Sequence, residues 1–294
     1  MVDASTFRFS FGTPDAAEPL PVSCASQEAA PAVSAPPPAR EEFPPLAVPD
    51  DWLSEAVALP GGRTLRKAHG AGCLDAARSA LPATSAAASD LIPGVYEGGA
   101  KLWECALDLC GFLERSRTSP LLAGARVLEL GCGHGLPGCV ALQRGAVSVC
   151  FADFNAEVLT SLTAPAAAAA QPPPPAERVP TRYFSGDWGD LPSLLPQGGF
   201  DVILTSDSVY ALPSLDKLAC LIRHCLEPAS GVALVAAKSF YFGVGGGSAA
   251  FAAAATARGL DVRTAARFED GASNVREILW CTAAPPVVPD GSAG

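Results

Sequence analysis

The sequence predicts an α/β fold, a doubly wound and mostly parallel sheet with helices on both faces. Three observations predict it. Short apolar runs alternate with helical stretches from residue 126 to the 280s, a glycine cluster follows the first run, and acids stand at the ends of the next runs. Strand–helix alternation at this spacing implies parallel pairing with crossover helices. Ligands in such sheets bind in the crevice outside the carboxyl ends of the strands.

The first 50 residues are rich in Pro, Ala and Ser, with apolar residues scattered singly. Such a segment buries too little apolar surface to offset its ordering entropy, so residues 1–50 are expected to be a disordered tail. Residues 51–90 read as an ill-defined extension, with "DWLSEAVALP" as a short helix and "AARSALPATSAAASD" as a linker. The domain proper is expected over 91–284, with a flexible tail at 285–294.

Within it, Leu102, Trp103, Ala106, Leu109, Cys110 and Leu113 recur at helical spacing after a Gly-rich turn. "ARVLEL" is a buried strand and "LPGCVALQRG" a small-residue helix closed by Gly145. "VSVCFAD", "TRYFSGDW", "FDVILTSD" and "GVALVAAKS" are further strands, and "FDVILTSD" has the continuous apolar run of a strand covered on both faces. "AEVLTSLTAPAAAAA", "LPSLDKLACLIRHCLEP" and "GSAAFAAAATARG" are the intervening helices. "DVRTAARF" and "VREILWCTA" close the sheet as an antiparallel pair, for seven strands in all. "QPPPPAERVP" is a surface spacer.

Thirty acids against twenty bases give a formal charge of −10, which disfavours direct nucleic-acid binding. The local basic cluster Arg63, Arg66 and Lys67 reads as a solvated loop or helix face. The start of the chain lacks a signal-peptide pattern, and no apolar stretch approaches the roughly twenty residues needed to span a bilayer. The ten cysteines fall mostly in expected core elements and form no C-x-x-C. They read as small apolar side chains in a reducing cytosol or nucleus, with no metal site.

The chemistry starts at Gly131, Gly133 and Gly135, directly after "RVLEL". Glycines there permit positive φ and let a ligand approach without a Cβ in the way. A dinucleotide fingerprint would need glycine at 136, where this chain has Leu136. Glu129 just upstream would repel a pyrophosphate and welcome a cationic amino-acid moiety. Asp153 ends the second strand and is placed to accept both ribose hydroxyls, a feature shared by NAD and S-adenosylmethionine sites. Asp187 is a candidate acceptor for an adenine amino group and Trp188 a cover for the flat base. Ser206 falls where the strand order reverses, beside the cofactor. Asp207 and Tyr210 face the substrate opening, unless Asp207 is merely an N-cap of the next helix. The run "YFGVGGGS" (Tyr241, Gly243, Gly245 and neighbours) suits a substrate backbone lying close or a movable lid.

Taken together, "IPGVYEGGAKLWECALDL", "LELGCGHGLPG", "FADFN", "SGDW", "DVILTSDSVY" and "KSFYFGVGGG" resemble the eukaryotic histidine protein methyltransferases, within the seven-strand class I S-adenosylmethionine-dependent methyltransferases. The resemblance covers about residues 90 to 282. It implies a Rossmann-like fold and methylation of a histidine in a large-subunit ribosomal protein. It implies cofactor contacts at Leu102, Trp103, Glu104, Cys105 and Ala106, at Gly131, at Ala152, Asp153 and Phe154, at Gly186, Asp187 and Trp188, and at Ser206. A monomer in the cytoplasm and nucleus, the nucleolus included, is expected.

An imidazole is mostly neutral at cytosolic pH, so what must be set is its tautomer, by an acceptor for one ring N–H. Asp207 is the candidate acceptor, with Tyr210 and Tyr241 walling the ring. The alternatives are a lysine or small-molecule methyltransferase, a non-catalytic binding module and, more remotely, a dehydrogenase.

Overall fold

Arg40–Glu42 (β1), Ser54–Ala58 (β2) and Thr64–Ala68 (β3) precede the first helix, Glu104–Leu113 (α1). The alternating region follows as Arg126–Leu130 (β4), Leu136–Gln143 (α2), Ser148–Asp153 (β5) and Ala156–Val158 (α3). A π-helical turn, Leu159–Thr163, leads into Ala164–Ala170 (α4) and Thr181–Ser185 (β6). Val202–Ser206 (β7), Leu212–Cys225 (α5), Val232–Lys238 (β8) and Ser248–Ala257 (α6) come next. Leu260–Phe268 (β9) and Arg276–Ala283 (β10) end the fold. The structure is a computed structural model that describes residues 37–284, except 46, 61, 69–90, 92–93, 116, 174, 270 and 272–273. The expectations for residues 1–36, for the linker at 76–90 and for the tail at 285–294 lie outside the described residues.

One sheet has the order β1–β6–β5–β4–β7–β8–β10–β9. Pairing is parallel from β6 through β8 and antiparallel for β10 with β8 and with β9. The expected seven strands are present, and an eighth is added. β1 pairs antiparallel with β6, setting Arg40 opposite Ser185 and Glu42 opposite Tyr183. It lies inside the stretch expected to be a tail, because long-range pairing supplies what local composition does not. β2 and β3 form an antiparallel hairpin where a short helix was expected over 51–60. The Arg63–Lys67 cluster lies on this hairpin, with Arg63 paired to Glu114 and Lys67 to Glu55.

The pleat sorts the central strands into two cores. Val127, Val149, Phe151, Val202 and Leu204 face one cluster with α1, α2, α4 and the hairpin leucines Leu59 and Leu65. Leu128, Leu130, Cys150, Ala152 and Ile203 face the other with α5 and α6. The eight cysteines among the described residues are unpaired, and all but Cys220 are buried. No helix among the described residues is long and apolar enough to cross a membrane.

Candidate active site

β5 and β7 leave the central strand β4 on opposite sides, so the order reverses there. A cavity of about 300 Å³ opens above the carboxyl ends of β4 to β7, at the low end of the range for ligand pockets. The Gly131–Gly135 turn forms its floor. All three glycines have positive φ, and Gly135, at 67°, starts α2 as a left-handed N-cap. A Cβ on Gly131 would stand 2.6 Å from Ser208 Oγ, and one on Gly133 3.0 Å from the Gly99 carbonyl oxygen.

Asp153 fixes that turn. Its Oδ2 accepts the Gly133 N–H at 2.9 Å and its Oδ1 the Asn155 N–H at 3.1 Å. Burial pushes its pKa up to about 6 despite these bonds. Thr163 closes the turn from behind, donating its hydroxyl to the Gly133 carbonyl at 2.6 Å. It stands at the end of the π turn, where Pro165 lacks the N–H a regular helix would use.

Asp207 is the one non-glycine residue with positive φ among the described residues, at 53°. It does not cap the helix that follows it. Its Oδ2 accepts the Cys105 N–H at 2.9 Å, at the amino end of α1, and its Oδ1 accepts the Tyr241 hydroxyl at 2.8 Å. Trp103, the residue before α1, offers no side-chain cap, so the carboxylate from β7 supplies one across the cavity. Burial raises the Asp207 pKa above the usual carboxylate range, against the lowering pull of those two bonds.

The cavity brings together Leu102, Trp103 and Ala106, then Gly131, Gly133, Asp153 and Phe154, then Gly186, Asp187 and Trp188, and finally Ser206, Asp207 and Tyr210. Seven expected site residues lie elsewhere. Glu104 points outward to Lys238, 2.9 Å away, and Cys105 is buried in the core behind the helix. Ala152 is buried on the opposite face, its carbonyl accepting the Cys132 N–H at 3.0 Å. Tyr241 stands behind Asp207, while Gly243 and Gly245 flank Val244, which does line the cavity.

Glu129 is the clearest correction. It was expected to sit as an anion beside the ligand, but strand alternation turns it the other way, into the core under α2. There it is 1% exposed and accepts the Gly138 N–H at 2.8 Å. Burial pushes its pKa to about 8, so it is largely protonated at neutral pH. The unfolded chain ionises this group near its ordinary 4.5. Folding therefore retains a proton between the two values, and stability is lost as pH rises from about 5 to about 8. Glu129→Gln, which keeps the acceptor and cannot ionise, is expected to match the parent melting temperature at about pH 5 and exceed it by several degrees at about pH 8.5. Coincident melting curves at the higher pH would refute the burial argument.

Sequence reasoning missed Glu97, Lys101 and Ser208, all in the lining, while His134 stood out from the sequence by its place inside the glycine turn. Glu97 and Lys101 precede the helical period that flagged α1, and only the quoted "IPGVYEGGAKLWECALDL" run contains them. His134 is 3% exposed, its Nε2 bonds the Ala100 carbonyl at 3.1 Å, and its Nδ1 has no partner among the described residues. Burial lowers its pKa to about 4, so it is neutral. A glycine cradle that a Cβ would fill, an unpaired buried nitrogen and acids at successive strand ends fit an adenosyl ligand with a diol and an amino-acid end.

A family model described as lysine methyltransferase matches residues 94–241, half of the chain and the whole of this cavity's β4–β7 frame. The chain belongs to that family. Relatives within reach of this methyltransferase sequence carry names of two kinds. The histidine protein methyltransferase 1 homolog of Dictyostelium discoideum is 43% identical over 195 residues, 66% of this chain and 60% of that protein. The Bos taurus protein of the same name is 35% identical over 187 residues, 55% of this chain and 49% of that protein. The protein N-lysine methyltransferase METTL21A of Danio rerio is 34% identical over 143 residues, 48% of this chain and 62% of that protein. The chain thus spans about half to three-fifths of the length of the first two relatives.

Proposed function

We propose that this methyltransferase is an S-adenosyl-L-methionine-dependent protein-histidine N-methyltransferase whose target is a large-subunit ribosomal protein. One observation carries the reading: the glycine turn, Asp153, Asp187–Trp188 and Asp207–Tyr210, each from a different strand end, converge on one cavity. The histidine-named Dictyostelium relative, at 43% over 195 residues, is more similar than the lysine-named Danio relative, at 34% over 143 residues. The ribosomal target rests on the sequence resemblance alone.

When bound, the cofactor supplies a methyl group on a sulfonium, whose thioether leaves without a proton. The protein's task is then alignment and exclusion of water. Gly131 and Gly133 give close backbone approach at the amino-acid end, while Asp153 stands at the sugar side. Asp187, held by Lys217 at 2.9 Å, and Trp188 wall the base. Tyr210 and Val244 border the opening through which an acceptor side chain would enter. On either side of Tyr241 in the chain, Phe240 and Phe242 meet edge to face at 4.6 Å, and Phe242 is 80% exposed.

The test is transfer of labelled methyl to isolated large-subunit ribosomal proteins, followed by hydrolysis and amino-acid analysis. Label in methylhistidine is the expected result; label in methyl-lysine, as the family description favours, or in no protein would overturn the reading.

A further inference from the structure

Four carboxylates line the cavity, and three of them are already committed. Asp207 is 8% exposed with one donor on each oxygen, and Asp153 is 5% exposed and holds two backbone N–H groups. Asp187 is neutralised by Lys217 and also accepts the Gly189 N–H at 2.7 Å. Glu97 also has a donor on each oxygen, but it is half-buried where Asp153 and Asp207 are buried, and unlike Asp187 it has no cation paired with it among the described residues. Its Oε1 accepts the Gly94 N–H at 2.7 Å, and its Oε2 accepts the Tyr210 hydroxyl.

The loop that carries Glu97 is anchored where the cofactor turn is anchored. Asn155 Oδ1 accepts the Glu97 N–H at 3.2 Å, and Asn155 Nδ2 donates to the Val95 carbonyl at 2.9 Å. The Trp103 indole donates to the Gly98 carbonyl at 3.1 Å. Burial first, then the nearby Glu97 charge, raises the Tyr210 pKa, so the phenol stays a donor. The result is a carboxylate aimed by a phenol, open to the cavity at the border between cofactor turn and substrate opening.

Resting on the histidine reading above, we infer that Glu97, and not Asp207, is the catalytic residue that accepts the N–H of the incoming imidazole, with Tyr210 as its positioning residue. Accepting that proton's hydrogen bond leaves the other ring nitrogen with a free lone pair. That lone pair forms the new N–C bond while the C–S pair stays with sulfur. The ring emerges as a methylimidazolium facing the Glu97 carboxylate, and its remaining N–H proton is released to water. A fixed anion where positive charge develops lowers the barrier as well as choosing the tautomer. Asp207 is the pin that holds α1 and Tyr241.

Glu97→Gln keeps shape and removes charge. With a histidine-containing substrate peptide, it is expected to lower kcat on the order of 10²-fold while S-adenosylhomocysteine affinity, read by titration calorimetry, is unchanged. The acid limb of the kcat–pH profile is expected to move to lower pH, because the bound imidazolium loses its anionic neighbour. Tyr210→Phe is expected to lower kcat by a smaller factor, about 10-fold, with the limb in place. Undiminished kcat in Glu97→Gln, or a loss explained wholly by weaker cofactor binding, overturns the assignment. A parent enzyme that methylates lysine instead overturns the histidine reading first and this role with it.

Discussion

Gly131→Val is expected to remove measurable S-adenosylhomocysteine binding from this methyltransferase, a loss on the order of 10²-fold or more in affinity. Two effects act together. The backbone at 131 has φ 61°, a conformation that costs an L-residue about 1–2 kcal/mol and a β-branched one more. The new Cβ would also stand 2.6 Å from Ser208 Oγ. That hydroxyl has little room to retreat: Ser208 is 5% exposed, accepts the Thr205 hydroxyl at 2.7 Å and donates to the Ser206 carbonyl at 3.1 Å. Trp188 Cζ2, 3.7 Å from the same point, closes the other side, so the added methyl groups project into the volume the ligand needs. Titration calorimetry reads the affinity and circular dichroism the fold; Gly131→Ala is the milder companion if valine prevents folding. Parent-like affinity in both variants would mean the turn does not face the cofactor.

Asp207→Ala should be the most destabilising single change in the site. It strands the buried Cys105 N–H and removes the acceptor of the part-buried Tyr241 hydroxyl, at about 1–3 kcal/mol for a buried group left unpaired. It also places alanine at φ 53°, where aspartate and asparagine are better tolerated. A total of about 3–5 kcal/mol follows, read as a lower urea midpoint with unchanged m-value. Asp207→Asn keeps the backbone preference and an acceptor oxygen and should lose about half as much. If alanine cost less than about 1 kcal/mol, Asp207 would not be holding α1.

The parallel frame was legible because its signals are local. Apolar strands end in acids or glycines, and Pro213 and Pro228 bracket α5 as start and stop signals. Eleven of the expected cofactor residues and both expected catalytic residues, Asp207 and Tyr210, line one cavity. The misses have physical reasons. "REE" at 40–42 carries no apolar residue, and it is a strand because Arg182 and Ser185 meet Glu41 and Glu42 at 2.8 and 2.5 Å. "SEAVA" at 54–58 was too short for its period to separate helix from strand. Glu129 is one residue away from facing the ligand, and a period of two sends it to the other side. Glu97 escaped because its role depends on Tyr210, more than a hundred positions later in the chain.

The added strand at 40–42 bears on where the cavity wall at Asp187 and Trp188 begins. Gly186, in the same loop as Asp187 and Trp188, has φ 133°, and the place of its missing side chain is taken by the Ala39 backbone, with Cα 2.5 Å from a Cβ built there. Ala39 also packs on the core that holds Trp188. The matched family segment starts at residue 94, so part of the support for the Asp187–Trp188 wall comes from chain outside it. The same three residues occupy the open flank of β6, whose free N–H and C=O groups would otherwise offer a template to another strand. A short, charged clasp thus serves two ends at once, bracing the Gly186–Trp188 side of the crevice and capping an edge onto which another copy of the sheet would otherwise zip.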